Sequence, residues 1–221
     1  MPIEIFDVRH DVKNVVITSS VRGRFLRMEP GEVGPRHSHD LGDEIFLILE
    51  GQCEFEIEGE LAVLGPGQLC FARVNQMHGV RVVGDEPMTM FLTVTPHIEP
   101  THTFWSEDGH KRPPVYGIST KAERDQQPAD ERSTTSMINL ANRFRALADQ
   151  LTATTNAHSH AQRLNVERFG DALSQTPADR KAALDAIWTD FSTLYAPLRA
   201  IEAVWNELAV RVADELLDEE S

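Results

Sequence analysis

Between Thr95 and Met137 the apolar residues of this chain change period, and one kind of secondary structure cannot absorb both patterns. From about Val15 to Thr95, short apolar or alternating runs are cut by glycine and proline, the punctuation of strands. The spacing predicts strands over Val15–Thr18, Gly23–Met28, Ile45–Leu49, Gln52–Ile57, Leu61–Val63, Leu69–Ala72, Gly79–Val83 and Met88–Val94. Gly59, between Glu58 and Glu60, supplies the positive φ of a tight hairpin. So many short strands within residues 1–115 call for a closed barrel or a sandwich.

A loop-rich stretch follows, HIEPTHTFWSEDGHKRPPVYG, expected as an extended tail along the outside of the barrel. Residues 116–132, including the polar KAERDQQPADE, read as a linker or an exposed helix start. Residues 133–221 read as helices. Met137, Leu140, Ala141, Phe144, Leu147, Ala148 and Leu151 form one stripe, and a separate helix is expected over 157–173. Thr176-Pro177 with Asp179 marks a capped start. The next stripe runs Leu184, Ile187, Trp188, Phe191, Leu194, Tyr195, Leu198 and on to Val212, to be kinked or split by Pro197 before the acidic tail DELLDEES. Such stripes imply helix-on-helix packing.

Charge narrows the partners. Thirty-five acidic against 21 basic residues give a formal net charge of -14, which repels a phosphate backbone, so no nucleic acid is expected. No apolar run spans a bilayer and the N-terminus does not read as an export signal, so no membrane and a cytoplasmic location are expected. Cys53 and Cys70, the two cysteines, lie in separate apolar segments and read as structural thiols.

The chemistry is concentrated in GEVGPRHSHDLGDEIFLILEG, residues 31–51. Residues two apart on a strand share a face, so His37 and His39 can aim at one point. Glu44 opens the following strand, where antiparallel pairing would return its carboxylate to the histidines, and His78 offers a third imidazole from a later apolar run. Three imidazoles and a carboxylate suit one divalent transition metal, Fe, Mn, Co, Ni, Cu or Zn, and not calcium or magnesium. Asp43 falls on the opposite face from Glu44. His158 and His160 lie two apart on a helix and cannot share a ligand. His97, His102 and His110 fall in the loop-rich tail, where histidines are mostly solvated, although His102 could reach the barrel mouth.

These residues resemble the cupin superfamily, whose first motif is G-x5-H-x-H-x3,4-E-x6-G. Gly31, His37, His39, Glu44 and Gly51 meet every fixed position. The second motif, G-x5-P-x-G-x2-H-x3-N, is met by Gly67 and His78, with Arg73, Asn75 and Val82 at the three departures. Asparagine is the residue that best tolerates left-handed backbone after glycine. Arg73 is put forward with Glu44 as a catalytic residue: turned inward it would hold a substrate carboxylate or enolate, turned outward it is surface. The resemblance implies an α+β chain, an antiparallel jelly-roll barrel (double-stranded β-helix) followed by an all-helical region. It also implies a metal-dependent enzyme acting on a small-molecule substrate, with a dioxygenase expected first. The alternatives are a redox-neutral isomerase or lyase and a non-catalytic binding or sensor module. Cupin barrels commonly pair, and the apolar run Ile45 to Leu49 implies a strand covered on both faces, so a homodimer is expected.

Overall fold

A computed structural model describes residues 2–126 and 135–219. All eight strands form: β1 (Asn14–Ile17), β2 (Arg22–Met28), β3 (Asp43–Glu50), β4 (Cys53–Ile57), β5 (Glu60–Leu64), β6 (Leu69–Ala72), β7 (His78–Val82) and β8 (Met88–Thr95). They pair antiparallel in two sheets, ordered β1-β2-β8-β3-β6 and β5-β4-β7. Alternation decides what lies between the sheets. Along β3, Glu44, Phe46 and Ile48 are buried while their neighbours turn outward, and along β8 Met88, Met90, Leu92 and Val94 do the same. Phe55 and Cys53 of β4 and Val82 of β7 close the core from the other sheet. Burial pushes the Cys53 thiol up to about 11 and the Cys70 thiol to about 12, so both are protonated and neither is in a disulfide.

Residues 97–120 are stitched to the barrel. Asn14 donates from Nδ2 to the Ser119 carbonyl at 2.8 Å, and Gly117 N–H donates to Glu99 Oε2 at 2.9 Å. Within 116–132, expected as a linker, Ile118–Thr120 forms a 3-10 turn and Lys121–Gln126 forms helix α1. Arg124 of α1 pairs with Asp214 at 2.8 Å. The rest of that polar stretch, from residue 127, and the last two residues of the acidic tail lie outside the described residues.

The chain divides into two compact units, 1–134 with 209–221, and 135–208. In the second, α2 (Met137–Ala172) is one continuous helix of 36 residues, where two had been expected. The polar stretch Thr152–Thr155 does not break it, because Thr152, Thr154 and Thr155 each return their hydroxyl to the carbonyl four residues back, at 2.8–2.9 Å. Helix α3 (Pro177–Ser192) begins at a full capping box between Thr176 and Asp179. It ends before α4 (Tyr195–Glu219), so Pro197 sits in the first turn of a new helix, where no N–H is missed.

The long stripe does not pack as expected. Helix α3 meets α2 through Ile187 and Asp190, which receive hydrogen bonds from Gln162, His158 and Asn165. Leu184 and Trp188 are left 54% and 62% exposed, because the polar anchors set α3 with its small-residue edge against α2. No helix among the described residues is long and apolar enough to cross a membrane.

Gly51 ends β3 at φ +68, and a Cβ there would lie 2.3 Å from the Pro87 carbonyl oxygen. Gly59 has φ +83 with open space around it. Gly51→Ala should therefore cost about 3 kcal/mol or more, and Gly59→Ala only about 1 kcal/mol. Urea denaturation of the two variants measures the difference.

Candidate metal centre

His37 and His78 sit directly across from each other and exchange both backbone hydrogen bonds, at 3.0 and 2.8 Å. Glu44 does not reach the histidines by antiparallel pairing back onto the strand of His37 and His39. Instead β3 pairs with β6 and β8, placing Glu44 opposite Ala72 and Val94, and the carboxylate approaches the histidines across the barrel interior. Ser38, between the two histidines, faces the other way: it pairs with Thr103 through the backbone, and its Oγ accepts from Trp105 Nε1 at 3.0 Å. Asn75 has φ 63, the left-handed turn expected at the motif's second glycine, and its N–H holds the His39 carbonyl at 2.8 Å.

The donor atoms of His37, His39, Glu44 and His78 lie within 4.8 Å of one another. Glu44 Oε2 is 2.7 Å from His39 Nε2, 3.1 Å from His78 Nε2 and 3.8 Å from His37 Nε2. Every Nδ1 is already committed to a backbone carbonyl: His37 to Pro35 at 2.9 Å, His78 to Gln76 at 2.9 Å and His39 to Thr101. A neutral imidazole that donates from Nδ1 presents a bare lone pair at Nε2. Three such lone pairs then converge on a carboxylate oxygen that is also an acceptor, and His37 Nε2 is buried with no hydrogen-bond partner. Only positive charge between them resolves the arrangement. Protonating several adjacent imidazoles would crowd cations, and burial already pushes the His37 imidazole below its usual range. One divalent ion meets all four donors. Its bonds of about 2.0–2.2 Å span at most about 4.4 Å between opposite ligands, close to the observed spread. The carbonyls behind each Nδ1 fix the tautomer that leaves Nε2 free to bind.

Burial alone would raise the Glu44 carboxyl; hydrogen donors or positive charge on its histidine side outweigh it and hold it well below the ordinary range, the ionised form that a cation among these groups requires. Its Oε1 lies 3.6 Å from Arg22 Nη2, and both side chains are 3% exposed. Asp43 is exposed and accepts from the Val74 N–H at 2.9 Å.

Arg73 is not brought to the site. Ala72 points inward opposite Glu44, so its neighbour Arg73 turns out to solvent, with Cζ 5.4 Å from the centre of the Phe71 ring. The interior cation is Arg22, which the sequence reading passed over. The signal was present in RGRFLRM: Arg22, Arg24, Leu26 and Met28 share one face of β2 by alternation, and all four line the cavity above the metal centre.

His102 was expected in a mostly solvated tail. The bridge between Ser38 and Thr103 folds that tail over the site and sets the His102 ring 4.5 Å from His37 and 5.2 Å from His39. Burial and the neighbouring imidazoles push His102 well below its usual range, so it is neutral. His158 and His160 lie on α2, in the other unit.

Residues 24–95 match the family described as "Cupin domain". Among relatives, a pectin degradation protein, KdgF, from Dickeya dadantii (strain 3937) is 42% identical over 50 residues, which is 23% of this chain and 46% of that protein. The chain thus spans just under half the length of that relative. A protein named polyketide synthase CurC, from Streptomyces cyaneus, is 29% identical over 105 residues, 44% of this chain and 68% of that one. The solved structure of KdgF from Halomonas sp. superposes with a TM-score of 0.38 at 27% identity, covering 40% of this chain and 79% of that one. The family match runs from β2 to the end of β8 and takes in all four converging side chains, so the cupin-domain likeness rests on the barrel and on the site together.

Proposed function

We propose that this chain is a metal-dependent enzyme that takes a small enolizable oxo compound into the barrel and stabilises its enolate. The observation that carries this reading is the convergence of His37, His39, Glu44 and His78, three of which (His37, Glu44 and His78) line a cavity of about 260 Å³. A divalent ion bound there would supply Lewis acidity toward substrate oxygens and, if redox-active, a site for dioxygen.

The chain's own residues supply the rest. The buried Arg22 guanidinium offers charged donors to an oxygen that gains negative charge as the enolate forms. Leu26, Met28, Phe46, Met90 and Leu92 line much of the remainder and would contact the apolar part of the substrate. Glu44, which lines the cavity, would accept the proton removed. The relatives' names are compatible with this substrate class, since pectin fragments and polyketides are both oxygen-rich carbonyl compounds.

Two outcomes of the enolate each have support. The apolar side chains in the lining, Leu26, Met28, Phe46, Met90 and Leu92, favour the dioxygenase outcome, since dioxygen is itself apolar. The fixed cation Arg22, which holds an enolate until a proton returns, favours an isomerase or lyase. Elemental analysis of protein purified without added metal, then assay over diketones, catechols and oxo acids, should give one metal per chain and exchange of the substrate's α-hydrogen with solvent deuterium. Oxygen uptake matching turnover marks the dioxygenase, and anaerobic turnover with zinc or manganese marks the redox-neutral enzyme. Tight binding with neither exchange nor turnover would overturn the enzymatic reading in favour of a binding module.

The metal assignment has its own test. Glu44→Gln should lower metal occupancy at least about tenfold while Asp43→Asn leaves it unchanged, and chelator should lower the melting temperature reversibly. Equal effects of the two substitutions on occupancy would remove Glu44 from the ligand set.

The homodimer is part of the same proposal. Leu69 and Phe71 on edge strand β6, both about half exposed, are apolar surface that a second copy would cover. Light scattering should give twice the chain mass for the native protein and a reduced mass for Phe71→Glu. A monomeric native protein refutes the dimer.

A further inference from the structure

We propose that Arg22 and Arg24 form an anion subsite beside the metal centre, so that the substrate carries a carboxylate in addition to the oxygens it presents to the metal. This rests on the metal-dependent reading above and narrows its substrate class to an oxo acid with a second, separate carboxylate.

Both arginines project from the inward face of β2, two residues apart, and both line the same cavity as His37, Glu44 and His102. The Arg22 side chain is 3% exposed, yet its Nε has no hydrogen-bond partner, and the Nε of Arg24 is likewise buried without one. Glu44 does not meet this demand. At 3.6 Å from Arg22 Nη2 it is beyond hydrogen-bond length, and its other oxygen is turned to the imidazoles.

Glu99 and Glu123 act on the charge of Arg22, but neither lines the cavity. Glu32 does line it, and uses its carboxylate on the Glu29 N–H at 2.9 Å. The buried Arg22 guanidinium is costly to desolvate and is repelled by its neighbour Arg24, and each of the two keeps a buried unmet Nε donor. A planar carboxylate matches their fork and neutralises both.

Size limits the ligand. A cavity of about 260 Å³ lies just below the roughly 300 Å³ at which sites for drug-sized ligands begin, which suits a short-chain ligand. The apolar residues Leu26, Met28 and Leu92 would contact the methylene groups between the two ends.

The probes are 2-oxoglutarate and 2-oxopentanoate, which share a chelating 2-oxo acid end and differ only in the distal carboxylate. Calorimetric titration of the full-length zinc-loaded protein should show 2-oxoglutarate binding at least about tenfold more tightly. Arg24→Gln should bring that ratio to within about threefold of unity while leaving bound zinc and 2-oxopentanoate affinity unchanged. Arg22 also faces the reacting oxygen and Glu44, so its substitution would weaken both probes, and Arg24→Gln decides the matter. Equal affinity of the two probes in the native protein, or a ratio that survives Arg24→Gln, overturns the subsite while leaving the metal assignment standing. If the protein takes up no zinc, glutarate titrated into the metal-free protein decides the subsite. Binding abolished by Arg24→Gln supports it, and no binding, or binding that survives the substitution, refutes it.

Discussion

A buried carboxylate oxygen faced by three imidazole nitrogens, each with its other nitrogen already bonded to the backbone, is the constraint on which the rest of the barrel depends. Acceptors do not converge in a low-dielectric interior unless a cation belongs among them. The surrounding fold reads as the means of holding that convergence. Glu44 stands on β3, the strand between β6 and β8, whose ladders leave its side chain little freedom. The histidines come from the opposite side of the interior, two on the segment after β2 and one at the start of β7, locked together by the backbone pair between His37 and His78.

The chain between β8 and α1 is more than a tail. Its Thr101 carbonyl orients His39, its Thr103 backbone pairs with Ser38, and its His102 and Ser119 line the cavity. Thr101 and Ser119 are joined through their hydroxyls at 3.1 Å, and Ser119 is within 3.1 Å of the buried His97, so these three side chains form one connected polar network.

The helical unit obeys different rules. Helix α2 is long because its threonines satisfy themselves within it, and α3 is placed by polar anchors on Asn165, Gln162 and His158. The aromatic run Trp188, Phe191 and Tyr195 stacks along its own helices, with neighbouring ring centres 5.5–6.2 Å apart, and stays largely open to solvent. Apolar periodicity announces a helix face; which face meets which neighbour depends on hydrogen bonds that periodicity does not encode.

The sequence alone determined the eight strands and the helix start at Thr176, because these follow from local spacing and backbone preference, and its resemblance to the cupin motifs pointed to the left-handed turn at Asn75 and to the four converging side chains. It did not determine how Glu44 reaches the histidines, since that depends on which strands pair, and β3 pairs with β6 and β8 instead of with its neighbour in sequence. Nor did it choose between Arg73 and Arg22. Parity makes Arg22 a candidate, but only the tertiary fold, by turning Ala72 inward and closing β2 over the cavity, put one guanidinium beside Glu44 and left the other in solvent. His102 was decided the same way, by a bridge to Ser38 across 65 residues of chain that no local pattern reports.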